Sequence, residues 1–171
     1  MGLFFRKKKP FVSEPPKPDP HYYALCNSYP VLRINADTIM PLAKKTNGFP
    51  FDYDELKDTY AIGEKVYEYE LFAHTDRLSL SLIDGIFHIL LDGADVGRIS
   101  KTKTNEIQEI ISKYGISRLN LSVGFGRCQV VERNDNPNTE LYGENDNKWI
   151  TWDDAPKPKA KIEISYQKPW S

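Results

Sequence analysis

Cys26, Cys128 and His88 are the side chains of this sequence best suited to nucleophilic or acid–base work, and their sequence surroundings argue against it. A catalytic cysteine needs a base within hydrogen-bond reach and a lowered pKa. His21 precedes Cys26 by five positions, which on a strand turns the two to opposite faces and holds them too far apart. Both cysteines therefore read as structural thiols, with no CxxC spacing and a reducing compartment as the better setting, although one disulfide between them stays open. His88 faces Ser81 across a proposed strand pair. Without an orienting acid or a nucleophile elbow, it reads as a half-buried imidazole bonded to a hydroxyl. The three histidines are scattered, and Asp135, Glu140, Glu144 and Asp146 lack the glycine and terminal glutamate of an EF-hand loop. GADVGRIS is too short for a phosphate-binding P-loop and has no lysine, and GFGRC follows a strand without opening a helix. No catalytic residue, metal ligand or cofactor is expected, and the chain reads as a non-enzyme.

The positive feature is a basic and aromatic grouping. Arg98, Lys101, Lys103, Lys113, Arg118 and Arg127 fall in one half of the chain with Phe125 nearby, whereas Glu132 to Asp154 is predominantly acidic. Single-strand binders combine basic grooves with stacking rings. Glu106 and Glu109 dilute the grouping, and the same residues suit an ordinary solvated face. Arg98, Lys101, Lys103, Phe125 and Arg127 are the candidate nucleic-acid-binding set, with single-stranded DNA as the candidate partner. The formal net charge of −1 supplies no global attraction, so such binding has to come from a local patch.

Positioning these residues requires a fold dominated by strands. HYYALCNSYPVLRI is β-branched and aromatic but interrupted by Pro30, as an edge or broken strand would be. NADTIMPLAKKTNG offers Asn35 or Asp37 as a cap for a short helix through Leu42 and Ala43, limited by Pro41 and stopped at Asn47-Gly48. Asp52 and Glu55 have capping-box spacing, opening a second short helix that ends near Thr59. EKVYEYELFA reads as a strand.

SLIDGIFHILLDGADVGRIS contains two Asp-Gly pairs, each the signature of a two-residue type I′ turn. The first turn sets Leu82 against Phe87, Leu80 against Ile89 and Leu78 against Leu91 on one side of a sheet. The second sets Leu91 beside Ala94 and Ile89 beside Val96, completing a three-stranded meander. Its other face carries Ser79, Ser81, His88, Asp95 and Gly97, with Ile83, Ile86 and Ile99 at one end needing a cover. TKTNEIQEIISKYG supplies one: Ile107, Ile110, Ile111 and Tyr114 at helical spacing, capped by Thr102 or Thr104 and stopped by Gly115. RLNLSVGFG and RCQVVER follow as two strands broken at Gly124 to Gly126. A polar loop, WITW and a last strand at AKIEISY complete an α+β domain built on a small curved antiparallel sheet or barrel with short helices.

The order of these elements, a short helix after RINADTIMPLAKK, a strand at VYEYELF, ILLDGADVGRI, and a helix before LNLSVGFGRCQVV, resembles the bacterial HIRAN-like domains. The likeness covers residues 31 to 131 and KIEISY. Its sharpest part is Asp92-Gly93-x-x-Val96-Gly97-x-Ile99, beside the D-G-x-x-V-G-Y-I pattern that precedes the helix in that family. The resemblance implies a small β-barrel with one or two helices that binds single-stranded DNA ends without catalysis. Two departures stand at the family's binding site. Only Ile83-Asp84-Gly85 stands where an N-P-x-D-x-x-A-I loop is expected, and Arg98 replaces the tyrosine. The resemblance therefore carries no DNA-binding residue onto this chain, and the leading expectation is a binding or interaction module of unassigned ligand. A degenerate single-strand binder is the alternative, and a small hydrolase comes last.

Residues 1–20 read as a basic, proline-rich tail, with five prolines in PFVSEPPKPDP. Residues 21–171 read as one domain with an acidic loop near 132–148. The patch before Arg6, Lys7, Lys8 and Lys9 is too short for a secretory segment, and position 6 lacks the Ser or Thr of a myristoylation motif. No run reaches membrane-spanning length, so a soluble, cytoplasmic protein with no membrane partner is expected.

Overall fold

A computed structural model of the chain describes residues 21–135 and 147–170. The expected tail at 1–20 and most of the expected acidic loop lie outside them. The described chain is a mainly antiparallel sheet with short helices. Its strands are β1 (Tyr22–Leu32), β2 (Lys44–Lys45), β3 (Lys65–His74), β4 (Leu78–Ile83), β5 (Ile86–Leu91), β6 (Ala94–Ile99), β7 (Arg118–Arg133), β8 (Lys148–Asp153) and β9 (Lys159–Pro169). The helices are α1 (Ala36–Ile39), α2 (Tyr53–Thr59) and α3 (Thr104–Lys113). Strand order is β2-β3-β7-β9-β1-β6-β5-β4, with β8 on the second half of β7. No pairing joins β4 to β2 among the described residues, so the sheet is open rather than a closed barrel.

The meander forms as the turn chemistry requires. Asp84 and Gly85 have φ of 51° and 73°, Asp92 and Gly93 have 51° and 82°, and positive φ at both central residues defines a type I′ turn. Leu82, Leu80 and Leu78 pair with Phe87, Ile89 and Leu91, the register that the apolar alternation dictates. The third strand departs from it. Leu91 meets Ala94, but Ile89 meets Gly97 rather than Val96, because a bulge opens between Ile89 and Leu90. The Asp95 carboxylate accepts from the Gly97 N–H at 3.0 Å and fixes the extra residue. Past the bulge the faces exchange: Ile99 enters the core at 1% exposure, and Arg98 falls opposite His88 on the outer face.

β1 joins the meander to the rest of the sheet through only two residue pairs, Val31 with Ile99 and Leu32 with Arg98. Pro30 sits where pairing to β9 ends and before pairing to β6 begins, so its missing N–H interrupts no ladder. β1 is thus one continuous inner strand rather than a broken one. Gly97 permits the crossing, since a Cβ there would lie 2.6 Å from Val31 Cγ1. The two strands expected on either side of Gly124 to Gly126 are likewise one, β7, whose first half pairs with β9 and second half with β8.

One large core fills one side of this sheet, built from every long strand except β8 together with Ile39 of α1 and Ile107 and Ile110 of α3. The α3 cover sits as its spacing predicts, but Ile83 stays 42% exposed and Ile111 also faces solvent. The Thr104 hydroxyl donates to the Gly85 carbonyl, pinning the start of α3 to the first hairpin turn. Neither expected threonine caps the helix: a 3-10 turn at Lys101–Lys103 leads in, and Lys103 holds the cap position without a side-chain bond. Gly115, at φ 71°, stops α3 by donating to the Ile110 and Ile111 carbonyls. α1 ends earlier than expected, in a 3-10 turn through Leu42 that contains Pro41, and short β2 follows before Asn47-Gly48. α2 opens on Asp52, whose carboxylate accepts from the Asp54 N–H, and packs Leu56 into a second small core with Phe49 and Val66. Buried Gln129 closes that core by bonding both the N–H and the carbonyl of Phe51.

Candidate functional site

The five residues of the basic and aromatic set are placed apart and in different company. Lys103 bonds Glu106 at 3.1 Å on the first turn of α3. Arg127 donates to both oxygens of Glu68 at 3.2 and 3.3 Å and lies over the Trp152 ring, 5.3 Å from its centre. That guanidinium holds the Glu68 carboxyl below its ordinary range. Phe125 stacks on Tyr69 with ring centres 5.6 Å apart and lines an apolar cavity beside Met40 and Ile39 of the α1 segment. Lys101 is exposed on the 3-10 turn. Arg98 alone lines a polar cleft.

That cleft, about 290 Å³, is bounded by Arg33, Asn35, His88, Asp95, Gly97 and Arg98. Each lining residue is set by a local feature of the chain. The bulge turns Arg98 to the same face as His88, and the Asp95 side chain joins His88 to the backbone at Gly97. His88 Nδ1 lies 2.6 Å from Asp95 Oδ2, while Asp95 Oδ1 takes the Gly97 N–H. Across the cleft, Asn35 fixes the end of β1: its backbone N–H donates to the Val96 carbonyl at 3.0 Å and its amide to the Asp95 carbonyl at 3.4 Å. Arg33 between them has φ of 50°, a left-handed backbone that costs a branched or bulky residue roughly 1–2 kcal/mol. Such residues cluster at functional sites, where surrounding contacts hold them. Neither Arg33 nor Arg98 has a carboxylate or carbonyl partner among the described residues. The two guanidinium groups therefore face a cleft whose one carboxylate is already engaged by an imidazole and a backbone amide.

Chemistry at other groups is poorly served. Asp95 gives His88 an acid that sequence spacing alone did not supply, and Ser81 stands opposite His88 in the β4–β5 pair. No hydrogen bond joins Ser81 to His88 among the described residues, so the row lacks the activated hydroxyl that acyl transfer needs. Cys128 is wholly buried, and burial pushes its thiol pKa up, the reverse of a nucleophile. Cys26 is exposed on β1 and both thiols are free. No cluster of three metal-ligating side chains occurs among the described residues, and no described helix is long and apolar enough to cross a membrane.

Arg33 and Asn35 were missed by sequence reasoning. The available signal was an arginine directly after a strand and before a helix cap, where a chain reversal demands unusual backbone angles. Comparison with protein-family models, with curated proteins and with solved structures finds no match to this chain.

Proposed function

We propose that this chain is a non-catalytic binding module on a HIRAN-like plan, and that its ligand presents an anionic, phosphate-like group to the cleft between Arg33 and Arg98. The single observation that carries this reading is the pair of unpartnered guanidinium groups at a cleft whose acid is already spent on His88 and Gly97. Guanidinium forks match phosphate and carboxylate oxygens, and charge-assisted bonds of this kind are roughly twice as strong as neutral ones. The backbone strain at Arg33 fits a residue held for a ligand rather than for folding.

A degenerate single-strand binder working through Arg98, Lys101, Lys103, Phe125 and Arg127 has less support, because Lys103 and Arg127 already serve Glu106 and Glu68 and would have to surrender those partners to bind phosphate. A hydrolase has least, for want of an activated nucleophile.

Titration calorimetry of the full chain with inorganic pyrophosphate tests the reading. Saturable binding is expected at low salt, with Arg98→Ala and Arg33→Ala each weakening it by about tenfold, as loss of a charged hydrogen bond would. Binding that neither substitution changes would place the anion elsewhere and remove the reading's basis.

A further inference from the structure

Two strands, β2 and β4, end the strand order of the sheet, and they are built in opposite ways. β2 is only Lys44 and Lys45, a length and a charge that deny an incoming strand its template. β4 runs for six residues, Leu78-Ser79-Leu80-Ser81-Leu82-Ile83, with neither charge nor proline. Its pairing with β5 is unbroken from Leu78 to Ile83, so no bulge twists the edge away. Edges that meet only water are ordinarily short, charged or bulged, and β4 is none of these.

The open side of β4 can be assigned residue by residue. The Arg77 carbonyl accepts the Asp92 N–H at 2.8 Å, so the bonds to β5 fall on odd-numbered positions. The even positions, Leu78, Leu80 and Leu82, therefore turn their N–H and carbonyl groups to the edge. Among the described residues the Leu78 N–H reaches only the Thr75 carbonyl, at 3.4 Å, and no described strand pairs with Leu80 or Leu82 on that side. The side chains alternate as well. Leu80 packs against the large core, while Leu82, on the same face, is left 45% exposed.

The composition of the strand says what fits it. Leu78 to Leu82 reads LSLSL, the same in both directions. An antiparallel neighbour is met in reverse, so a second copy centred on Leu80 sets Leu78 opposite the partner's Leu82 and Ser79 opposite the partner's Ser81. Even positions then meet even positions, and each edge-facing N–H finds a carbonyl. A two-fold axis normal to the sheet keeps the leucines of both copies on one face and the serines on the other, where like side chains pair favourably. Any charge near such an axis would oppose its own copy. β4 holds none.

We propose that two copies of this chain pair antiparallel along β4, joining their sheets into one across a two-fold axis at Leu80. Each copy spends its β4 edge on the other, and the lysines of β2 guard the opposite end, so assembly closes at two. The proposal is independent of the Arg33–Arg98 cleft.

Sedimentation equilibrium of the full chain tests it. The average mass should rise with concentration from one chain to two and no further. The double variant S79K/S81K should weaken pairing at least about tenfold, since it sets lysine opposite lysine twice, and S79E/S81E should do the same. Mixing the two variants should restore pairing, because lysine then faces glutamate, and a misfolded variant could not be rescued in this way. An R33A/R98A variant should pair as wild type does. A chain that stays single at every concentration, or that grows beyond two copies, overturns the proposal. So does a dimer that neither double variant weakens, because its contact would lie elsewhere. A single chain that instead binds a synthetic LSLSLI peptide also overturns it, and would make β4 a site for a foreign strand.

Discussion

Tyr29 shows how this protein satisfies a buried polar atom, and how the bond that does so ties stability to pH. The side chain is buried in the large core, and its hydroxyl donates to Glu106 Oε1 at 2.7 Å, with Asn27 assisting. Burial, followed by the bond to the Glu106 carboxylate, pushes the phenol from 10.0 to about 12. The same bond, with help from Lys103, holds the Glu106 carboxyl below its usual range. A folded-state pKa above the unfolded one means stability that is complete below pH 10 and is lost as pH rises toward 12. Thermal melting across that interval should fall for the native chain, and Tyr29→Phe should flatten the decline. Arg33 makes a converse case. Glycine accepts its left-handed backbone freely, so Arg33→Gly should hold or raise the melting temperature while weakening pyrophosphate binding. A drop in stability would mean that the guanidinium serves the fold. Neither residue's role was legible in the sequence. Tyr29 lies among polar neighbours that give no sign of its partner 77 positions away, and left-handed φ is expected of Gly, Asn or Asp rather than Arg.

At the scale of elements, legibility followed from how local the determining chemistry is. Both Asp-Gly turns and the β4–β5 register rest on neighbours in sequence and stand where expected. The bulge before Gly97 does so only in part: the Asp95 carboxylate that holds it is two residues away, but β1 arrives from more than 60 residues upstream to pack Val31 against the glycine. One slipped residue moved Ile99 into the core and Arg98 to the cleft, which is why a site residue could be named without its partners. Proline and glycine misled in the same way at β1 and β7: each tolerates a continuous strand where pairing changes from one neighbour to another. The glycines should respond to substitution for different reasons. A Cβ at Gly85 or Gly93 meets nothing within 4 Å, so Gly85→Val and Gly93→Val should cost about 1 kcal/mol or more through backbone strain alone. Gly97→Ala should cost about 1–3 kcal/mol through overpacking against Val31. Chemical denaturation of the three variants distinguishes the two: a second change, Val31→Ala, should recover part of the loss at Gly97 and none at the turns.

The whole molecule is an open antiparallel sheet whose two parts, the meander and the longer strands, meet at β1 and share one core. That class was legible from turn spacing and apolar alternation; closure into a barrel was not decidable, since it depends on edge pairing that leaves no sequence trace. The junction matters for function, because Arg33 leaves β1 at the point where Gly97 and Arg98 arrive on β6, and only their meeting makes the cleft. The residues expected to bind together are instead spread over β6, the 3-10 turn and β7, since proximity along a chain of strands says little about proximity in a sheet. The claim that an anion is held at the β1–β6 junction is tested most directly by following backbone amide resonances of the full chain during titration with inorganic pyrophosphate. The account predicts saturable shifts centred on Arg33, Asn35, Gly97 and Arg98, abolished by Arg98→Ala. Saturable shifts that leave those four amides unmoved, or no saturable shift at low salt, would contradict it.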